Sequence, residues 1–400
     1  MARNGHGAAG RQNGAERLER FLIALIQRPG AERGQSKRVK FLLWGLKRLS
    51  NIYMGLVQLR MLLYRKGIFR HHELGCQVIS VGNLTVGGTG KTPVVEVFAR
   101  ELQKEGRKVA ILSRGYKKAE PTFGEKLVNL VTLRERRNLP RIVSDGKKLL
   151  LDSHMSGDEP YMLASNLSNV AVLVDKDRVK SGRYAINKLG CDTLVLDDGF
   201  QYLRLRSRIQ VCLVDRMNPF GNENMLPRGI LREPIKNIKR ADFIFITKST
   251  GSGDEELIAR IKKLNPKAEI IVCKHTAKYL KNMYTKEQAD LEILKGMKIV
   301  SLSGIAAPRG FEKELRARGA TLLDKVRYAD HHRYTQQEII DIINKAKLME
   351  ADAIITTEKD AVRFPRLERR DVPIYFMRVD IEILSGAKDF HSCIERICIR

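Results

Sequence analysis

Gln77-Val78-Ile79-Ser80-Val81 runs straight into Gly82-Asn83-Leu84-Thr85-Val86-Gly87-Gly88-Thr89-Gly90-Lys91-Thr92-Pro93. The first five residues are a short run rich in β-branched side chains. Val94 to Lys104 then reads as a helix with Val94, Val97, Phe98 and Leu102 on one side. Strand, glycine loop, Gly-Lys-Thr and helix, in that order, predict a phosphate-binding loop. The glycines let backbone N–H groups converge on phosphate oxygens, and the helix N-terminus adds its positive end. On this reading Thr85, Val86, Gly87, Gly88, Thr89, Gly90, Lys91 and Thr92 cradle ATP. Lys91 reaches the β- and γ-phosphates, and the Thr92 hydroxyl holds Mg²⁺. The strict pattern asks for glycine six residues before the lysine, where Thr85 stands. The competing reading is a chance glycine turn.

Outward from the loop, Lys108-Val109-Ala110-Ile111-Leu112 is a second strand that enters the polar turn Ser113-Arg114-Gly115-Tyr116. Cys191 to Leu196 is an apolar strand that ends in Asp197-Asp198-Gly199. A carboxylate at the C-terminal edge of a parallel strand beside the loop is what a Mg²⁺ site requires. A plain Asp-Asp turn fits the same residues. The order Val170–Val174, Val179–Leu189, Thr193–Leu196, Gln210–Asp215 alternates strand and helix, which predicts an α/β fold with a P-loop NTPase-like parallel sheet wound with helices. A smaller α/β unit begins near Lys298-Ile299-Val300-Ser301-Leu302, has a helix at Gly310–Arg318 and closes with Ala353–Thr356. Ala268–Cys273 and Val372–Met377 have strand character and flank it, so a two-strand hinge is expected. The predicted divisions are a basic tail, disordered or partly helical, at 1–38; an amphipathic helix within 39–72; a kinase domain at 73–267; the smaller domain at 268–380; and a C-terminal helix at 381–400.

Composition narrows the classes. With 43% hydrophobic and 30% charged residues, the chain can build a core, which excludes a disordered or fibrous protein. No run of about 18 apolar residues occurs to cross a bilayer. The formal charge of +27 points to partners that carry phosphate. The six cysteines are scattered without a C-x-x-C pair, as expected of reduced thiols. Phe21–Ile26 is short for a signal peptide, and Ala2 excludes myristoylation. Between residues 39 and 66, Leu42, Leu46, Leu49, Tyr53, Leu56 and Leu63 form one apolar helix stripe. Lys40, Lys47, Arg48, Arg60, Arg65 and Lys66 accompany it with no acidic residue. Such a helix either packs on the core or lies in a bilayer interface, and periodicity alone leaves both readings open.

Eight motifs follow one another along the chain. They are the loop Gly82–Pro93, Ser113-Arg114-Gly115-Tyr116, Gly157-Asp158-Glu159-Pro160, Leu196-Asp197-Asp198-Gly199-Phe200-Gln201, Leu231-Arg232-Glu233-Pro234, Ser303-Gly304-Ile305-Ala306, Asp330-His331-His332 and Thr357-Glu358-Lys359-Asp360-Ala361-Val362. Together, over about residues 39 to 385, they resemble the tetraacyldisaccharide 4′-kinases, the lipid A 4′-kinases of Gram-negative bacteria. That family has Ser or Thr where Thr85 stands.

The resemblance implies transfer of the ATP γ-phosphoryl group to the 4′-hydroxyl of an acylated glucosamine disaccharide 1-phosphate, which forms lipid IVA. It implies Asp158 as catalytic base with His331 as its partner, Lys91 as the neutralising cation, and Thr92 with Asp197 or Asp198 on Mg²⁺. Asn83, Glu159, Gln201, Arg232 and Glu233 are second-tier candidates. On the residues alone, Asp158 is an acidic turn or N-cap and His331 an ordinary histidine. Arg232-Glu233 could equally be a salt-bridged loop. A lipid substrate implies a peripheral monomer at an anionic membrane, on the cytoplasmic face of the inner membrane. Two residues depart from the family pattern: Tyr202 stands where His is expected, and Arg228 where Ala is expected.

Two other classes compete. A P-loop GTPase needs a guanine-reading Asn/Thr-Lys-x-Asp, but Thr247-Lys248-Ser249-Thr250 lacks the Asp and Thr357-Glu358-Lys359-Asp360 has the wrong spacing. A nucleic-acid NTPase would show interleaved basic and aromatic residues, whereas aromatics are 6% of the chain with a single Trp. No nucleic-acid partner is expected.

Overall fold

The computed structural model describes residues 36–115, 139–365 and 369–398. The expected tail up to residue 35, Tyr116 of the second motif and the last two residues of the expected C-terminal helix lie outside them. The strands are β1 Gln77–Asn83, β2 Val109–Ser113, β3 Arg141–Asp145, β4 Ala171–Val174, β5 Thr193–Asp197, β6 Ile209–Asp215, β7 Phe243–Thr247, β8 Glu269–Asn282, β9 Gln288–Ala289, β10 Lys298–Ser303, β11 Thr321–Arg327, β12 Ala353–Thr357 and β13 Ile374–Ser385. The helices are α1 Lys37–Arg65, α2 Lys91–Lys104, α3 Ser153–Ser156, α4 Asp158–Asn166, α5 Arg178–Leu189, α6 Glu255–Leu264, α7 Pro308–Ala317, α8 Gln336–Leu348, α9 Glu358–Ala361 and α10 Ala387–Cys398.

Among the described residues the strands form one sheet in the order β11-β10-β12-β13-β8-β7-β6-β1-β5-β2-β4-β3, with β9 against β8. Neighbours run parallel except at β3/β4, β8/β9 and β8/β13. β1 is central and pairs Val81 with Asp197 of β5. That register sets the phosphate loop beside the two aspartates, because both follow the C-terminal ends of adjacent parallel strands. Long apolar runs suit strands covered on both faces: β5 and β7 are buried at every residue.

The predicted hinge strands meet. β8 and β13 pair antiparallel, and the sheet passes through them from one half of the chain to the other without a break. Three boundaries differ from expectation. α2 starts at Lys91 instead of Val94, because Pro93 falls in the first turn, where a missing N–H costs nothing. Residues 66–72 are not helical; α1 spans Lys37–Arg65 with Ser36 as its N-cap. Residues 381–385, expected in the C-terminal helix, extend β13, whose Val379, Ile381 and Ile383 alternate with period two. Gly386, at φ +80°, separates strand from helix.

α10 returns to the first half of the chain. Phe390 packs edge-on against Phe98 of α2 and Phe245 of β7, with centroids 5.2 and 5.9 Å apart. Such pairs contribute roughly 0.5–1.5 kcal/mol each beyond their burial.

α1 is apolar on two sides. One side faces the body: Leu43, Ser50 and Tyr64 are buried, and Tyr53 and Val57 pack on the cluster around Phe220, Met225 and Leu231. Ser50 Oγ donates to the Met225 carbonyl at 2.8 Å and accepts from Arg228 N at 3.0 Å. Phe41, Trp44, Leu49, Ile52, Leu56 and Leu59 stand on the other side, exposed, Phe41 to 73%. The expected single stripe is thereby split, for Tyr53 and half-buried Leu46 turn inward while Leu42, Leu49 and Leu56 turn outward. Counting threes and fours finds apolar positions but not which of two apolar sides is covered. No described helix is long and apolar enough to cross a membrane.

Candidate active site

The loop between β1 and α2 is tied on several sides. Buried Asn83 donates through Nδ2 to the Thr85 carbonyl at 2.8 Å and to Thr85 Oγ1 at 3.1 Å. Its Oδ1 accepts from Lys91 Nζ at 3.3 Å, and Gln201 Nε2 donates to its carbonyl at 3.0 Å. From the end of β7, Thr247 Oγ1 donates to the Thr89 carbonyl at 2.8 Å, and Lys248 Nζ to the Gly88 carbonyl at 2.6 Å. Gly90 has φ +79°, and a Cβ there would lie 2.5 Å from the His275 ring. Thr89 Oγ1 is buried without a partner. A phosphate oxygen is the acceptor such a hydroxyl lacks.

The two aspartates take different surroundings. Asp198, at φ +52°, accepts from Arg232 Nη1 at 2.7 and 2.9 Å and lies 3.4 Å from Lys91 Nζ. Burial raises its pKa, but Lys91 and Arg232 outweigh burial and hold the carboxyl below the usual range. Asp197 is fully enclosed and accepts from Ser113 Oγ at 2.9 Å. Burial, then the Glu159 and Asp198 charges, push its pKa up. Carboxylates crowded in this way, with the Thr92 hydroxyl at the start of α2, fit a divalent cation. Glu233 is not part of the cluster: Arg240 holds it at 2.8 Å and Asn237 at 2.8 Å, the salt-bridged loop that was its other reading.

Asp158 opens α4. Its N-cap is Gly157, so the carboxyl is spared for other partners. It is 7% exposed and receives Arg363 Nε on Oδ2 at 2.8 Å and Arg333 Nη2 on Oδ1 at 3.2 Å; Oδ2 also lies 3.3 Å from His331 Nδ1. Burial pushes its pKa up, but the hydrogen-bond donors around it and the Arg363 and Arg333 charges more than offset this, leaving the carboxyl below its ordinary value. His331, at φ +64°, follows β11, and its backbone N–H bonds the Gly304 carbonyl at 3.1 Å. Next to Asp158, Glu159 accepts from Lys359 of α9 at 3.2 Å. The Glu159 charge also acts on Asp197, so the start of α4 lies within electrostatic reach of the aspartates beside the phosphate loop.

Tyr202 hydrogen-bonds Asp177 at 3.1 Å and accepts from Arg178 N at 3.0 Å, while Arg228 N meets α1. Sequence reasoning missed Arg333, Lys359 and Arg363. Arg363 is one residue beyond the last quoted motif and Arg333 one beyond Asp330-His331-His332, and no spacing singles them out.

Comparison with known proteins gives a consistent result. A family profile for tetraacyldisaccharide-1-P 4′-kinase (LpxK) matches residues 42–398. Tetraacyldisaccharide 4′-kinase of Halothermothrix orenii is 34% identical over 96% of this chain and 99% of its own length. That of Desulfotalea psychrophila is 38% identical over 88% of this chain and 95% of its own. A crystal structure of LpxK from Aquifex aeolicus, in complex with ATP, superposes with a TM-score of 0.68 at 28% identity, covering 89% of this chain and 99% of that one.

Proposed function

Since the chain belongs to the tetraacyldisaccharide 4′-kinase family, we propose that the cleft between Lys91 and Asp158 is where the phosphoryl group passes. The protein is an ATP-dependent kinase of lipid A biosynthesis that phosphorylates the 4′-hydroxyl of tetraacyldisaccharide 1-phosphate. Phosphoryl transfer asks for positioning, charge neutralisation and a base for the attacking hydroxyl. Thr85 to Thr92 hold the triphosphate, and Lys91 offsets charge that develops on the γ-phosphoryl group. Asp158 takes the hydroxyl proton, with His331 as its partner. Mg²⁺, when bound by Thr92 with Asp197 or Asp198, would shield charge between the phosphates. Arg232 keeps Asp198 in place. His331 comes from the 268–380 segment and Asp158 from 73–267, and the two already meet at 3.3 Å, so the catalytic pair is assembled across the two segments.

What supports this reading is the presence of two sets suited to the two tasks: Lys91–Asp198–Arg232 at the phosphate loop and Asp158–His331, whose neighbour Glu159 acts electrostatically on Asp197. We further read α1 as the contact with the cytoplasmic face of the inner membrane. Its outward residues Phe41, Trp44, Ile52 and Leu59 would enter the acyl region, with Lys40, Lys47 and Arg48 near lipid phosphates. The enzyme acts there as a peripheral monomer. Transfer of label from γ-labelled ATP to purified disaccharide 1-phosphate in mixed micelles tests the assignment. Label released only as inorganic phosphate, with none on the lipid, would defeat it.

A further inference from the structure

Arg363 makes contacts to both Asp158 and His331. Its side chain is completely buried. Nε donates to Asp158 Oδ2 at 2.8 Å, and Nη2 lies 3.3 Å from His331 Nδ1. Nη1 donates to the Gly304 carbonyl at 3.1 Å and to Asp360 Oδ1 at 3.2 Å. Asp360 is itself fully buried and also accepts from Tyr334 OH at 2.9 Å and from Gly304 N at 3.0 Å. The guanidinium is therefore fixed from behind by α9 and by the loop after β10.

These contacts leave His331 Nδ1 with a choice. It lies 3.3 Å from both Asp158 Oδ2 and Arg363 Nη2. A guanidinium can only donate, and a carboxylate can only accept. Nδ1 therefore accepts from Arg363 when it carries no proton and donates to Asp158 when it does. It does not do both.

We propose that Arg363 is the positioning residue of the pair: it locks the Asp158 carboxylate and the His331 ring together and keeps Nδ1 an acceptor until the attacking hydroxyl gives up its proton. This rests on the reading of Asp158 as base. In the step, the 4′ O–H bond breaks and the new O–P bond forms, while the bond from Pγ to the leaving oxygen breaks with its electrons on ADP. The proton goes to Asp158 and on to Nδ1, which makes an imidazolium. Nδ1–H then donates to Oδ2, and the Arg363 charge beside it favours release of that proton before the next turnover. The other charges facing the pair are Arg333 on Asp158 Oδ1, Asp330 at 3.8 Å from His331 Nε2, and Glu159, which is held by Lys359.

The test uses the full-length enzyme with Arg363→Lys and Arg363→Gln, beside Asp158→Asn. Arg363→Lys keeps the charge but loses the fork; kcat should fall roughly 10- to 100-fold, a fraction of what a base contributes, with KM for ATP within about two-fold. Arg363→Gln should move the acid limb of the kcat–pH profile up by about one unit, as Asp158 loses an adjacent cation, and lysine should restore the limb but not the rate. Should Arg363→Gln not fold, ¹⁵N NMR of His331 decides: Nδ1 is unprotonated near neutral pH in the wild type, and its protonated fraction rises in Arg363→Lys. An unchanged limb, or a wild-type Nδ1 that carries the proton, overturns the proposal. If Asp158→Asn keeps full transfer, the base reading itself falls. If Asp158→Asn collapses while the Arg363 variants keep the wild-type rate and limb, only the role of Arg363 falls.

Discussion

Arg378, on β13, donates to Glu96, on the helix that follows the phosphate loop. The same guanidinium donates to Glu358 at 2.7 Å, and Glu358 accepts from Asn166 at the end of α4, the helix that Asp158 opens. One buried cation thus joins the phosphate-loop helix, the Asp158 helix and the short α9 segment. Arg378→Met leaves Glu358 without its cation and Glu96 with Arg100 alone, and removal of one partner of a buried pair costs about 3–5 kcal/mol. Urea unfolding should show that loss. A difference under about 1 kcal/mol, the range of exposed pairs, would mean that water already reaches the network.

Lys91→Ala should lower phosphoryl transfer by at least about 10²-fold, as loss of a preorganised charge at the transferring group does. It also removes a cation from Asp198. Steady-state rates with ATP and the lipid in micelles measure this, and near wild-type turnover would end the phosphate-loop assignment.

Asp158→Ala should slow transfer by roughly 10²- to 10⁴-fold while ATP still binds, the range of a general base. His331→Ala should cost less. Because the two side chains touch, the double variant should lose far less than the product of the single losses. Losses that multiply would show two independent groups.

His275 sits against Gly90, and burial, then the nearby Lys248 charge, hold its pKa down to about 4 from a usual value of about 6.5. Between those values the unfolded chain binds a proton that the fold refuses, so stability falls as pH drops through that window and is fully present above it. The His275 share is up to about 3 kcal/mol. Unfolding free energies of wild type and His275→Gln, compared from neutral pH to pH near 4, should diverge in slope. Parallel curves would show that His275 takes no part.

Phe41, Trp44, Ile52 and Leu59 changed together to Ser should weaken binding to anionic vesicles by at least roughly tenfold, since each exposed apolar side chain is worth more than 1 kcal/mol when buried. The melting temperature should hardly move. Tyr53→Ser with Val57→Ser should do the reverse, because those side chains meet the protein. Salt should weaken the vesicle contact without abolishing it. Full sedimentation of the four-Ser variant would assign attachment elsewhere.

The P-loop half was legible because a strand, a glycine loop and a helix are local patterns. The placement of Asp197 and Asp198 beside the loop followed from parallel alternation alone. Long-range side-chain choices were not legible. Nothing local tells that Asp158 skips capping to meet residues 173 and 205 positions away, His331 and Arg363. Nor does spacing tell that Glu233 turns to Arg240 while its neighbour Arg232 turns to Asp198. The extension of β13 through Ser385 was missed because so short an apolar run next to a helix pattern is ambiguous between strand and helix.

The pairing of β8 with β13 has a mechanical side. A loop absorbs rotation in a few freely turning dihedrals and keeps no memory of its starting angle. A ribbon of two strands absorbs it as twist shared along its length, and here ten residue pairs share it. Were the halves to rotate, such a ribbon would act as a torsion spring, storing work on bending and returning them to one resting angle. Its soft points are the register shifts between Arg378 and Val379 and between Ile383 and Ser385, where the ladder is already broken. The first of these lies directly beside the arginine that grips Glu96 and Glu358, so any torque in the ribbon would be delivered next to the helix of the phosphate loop.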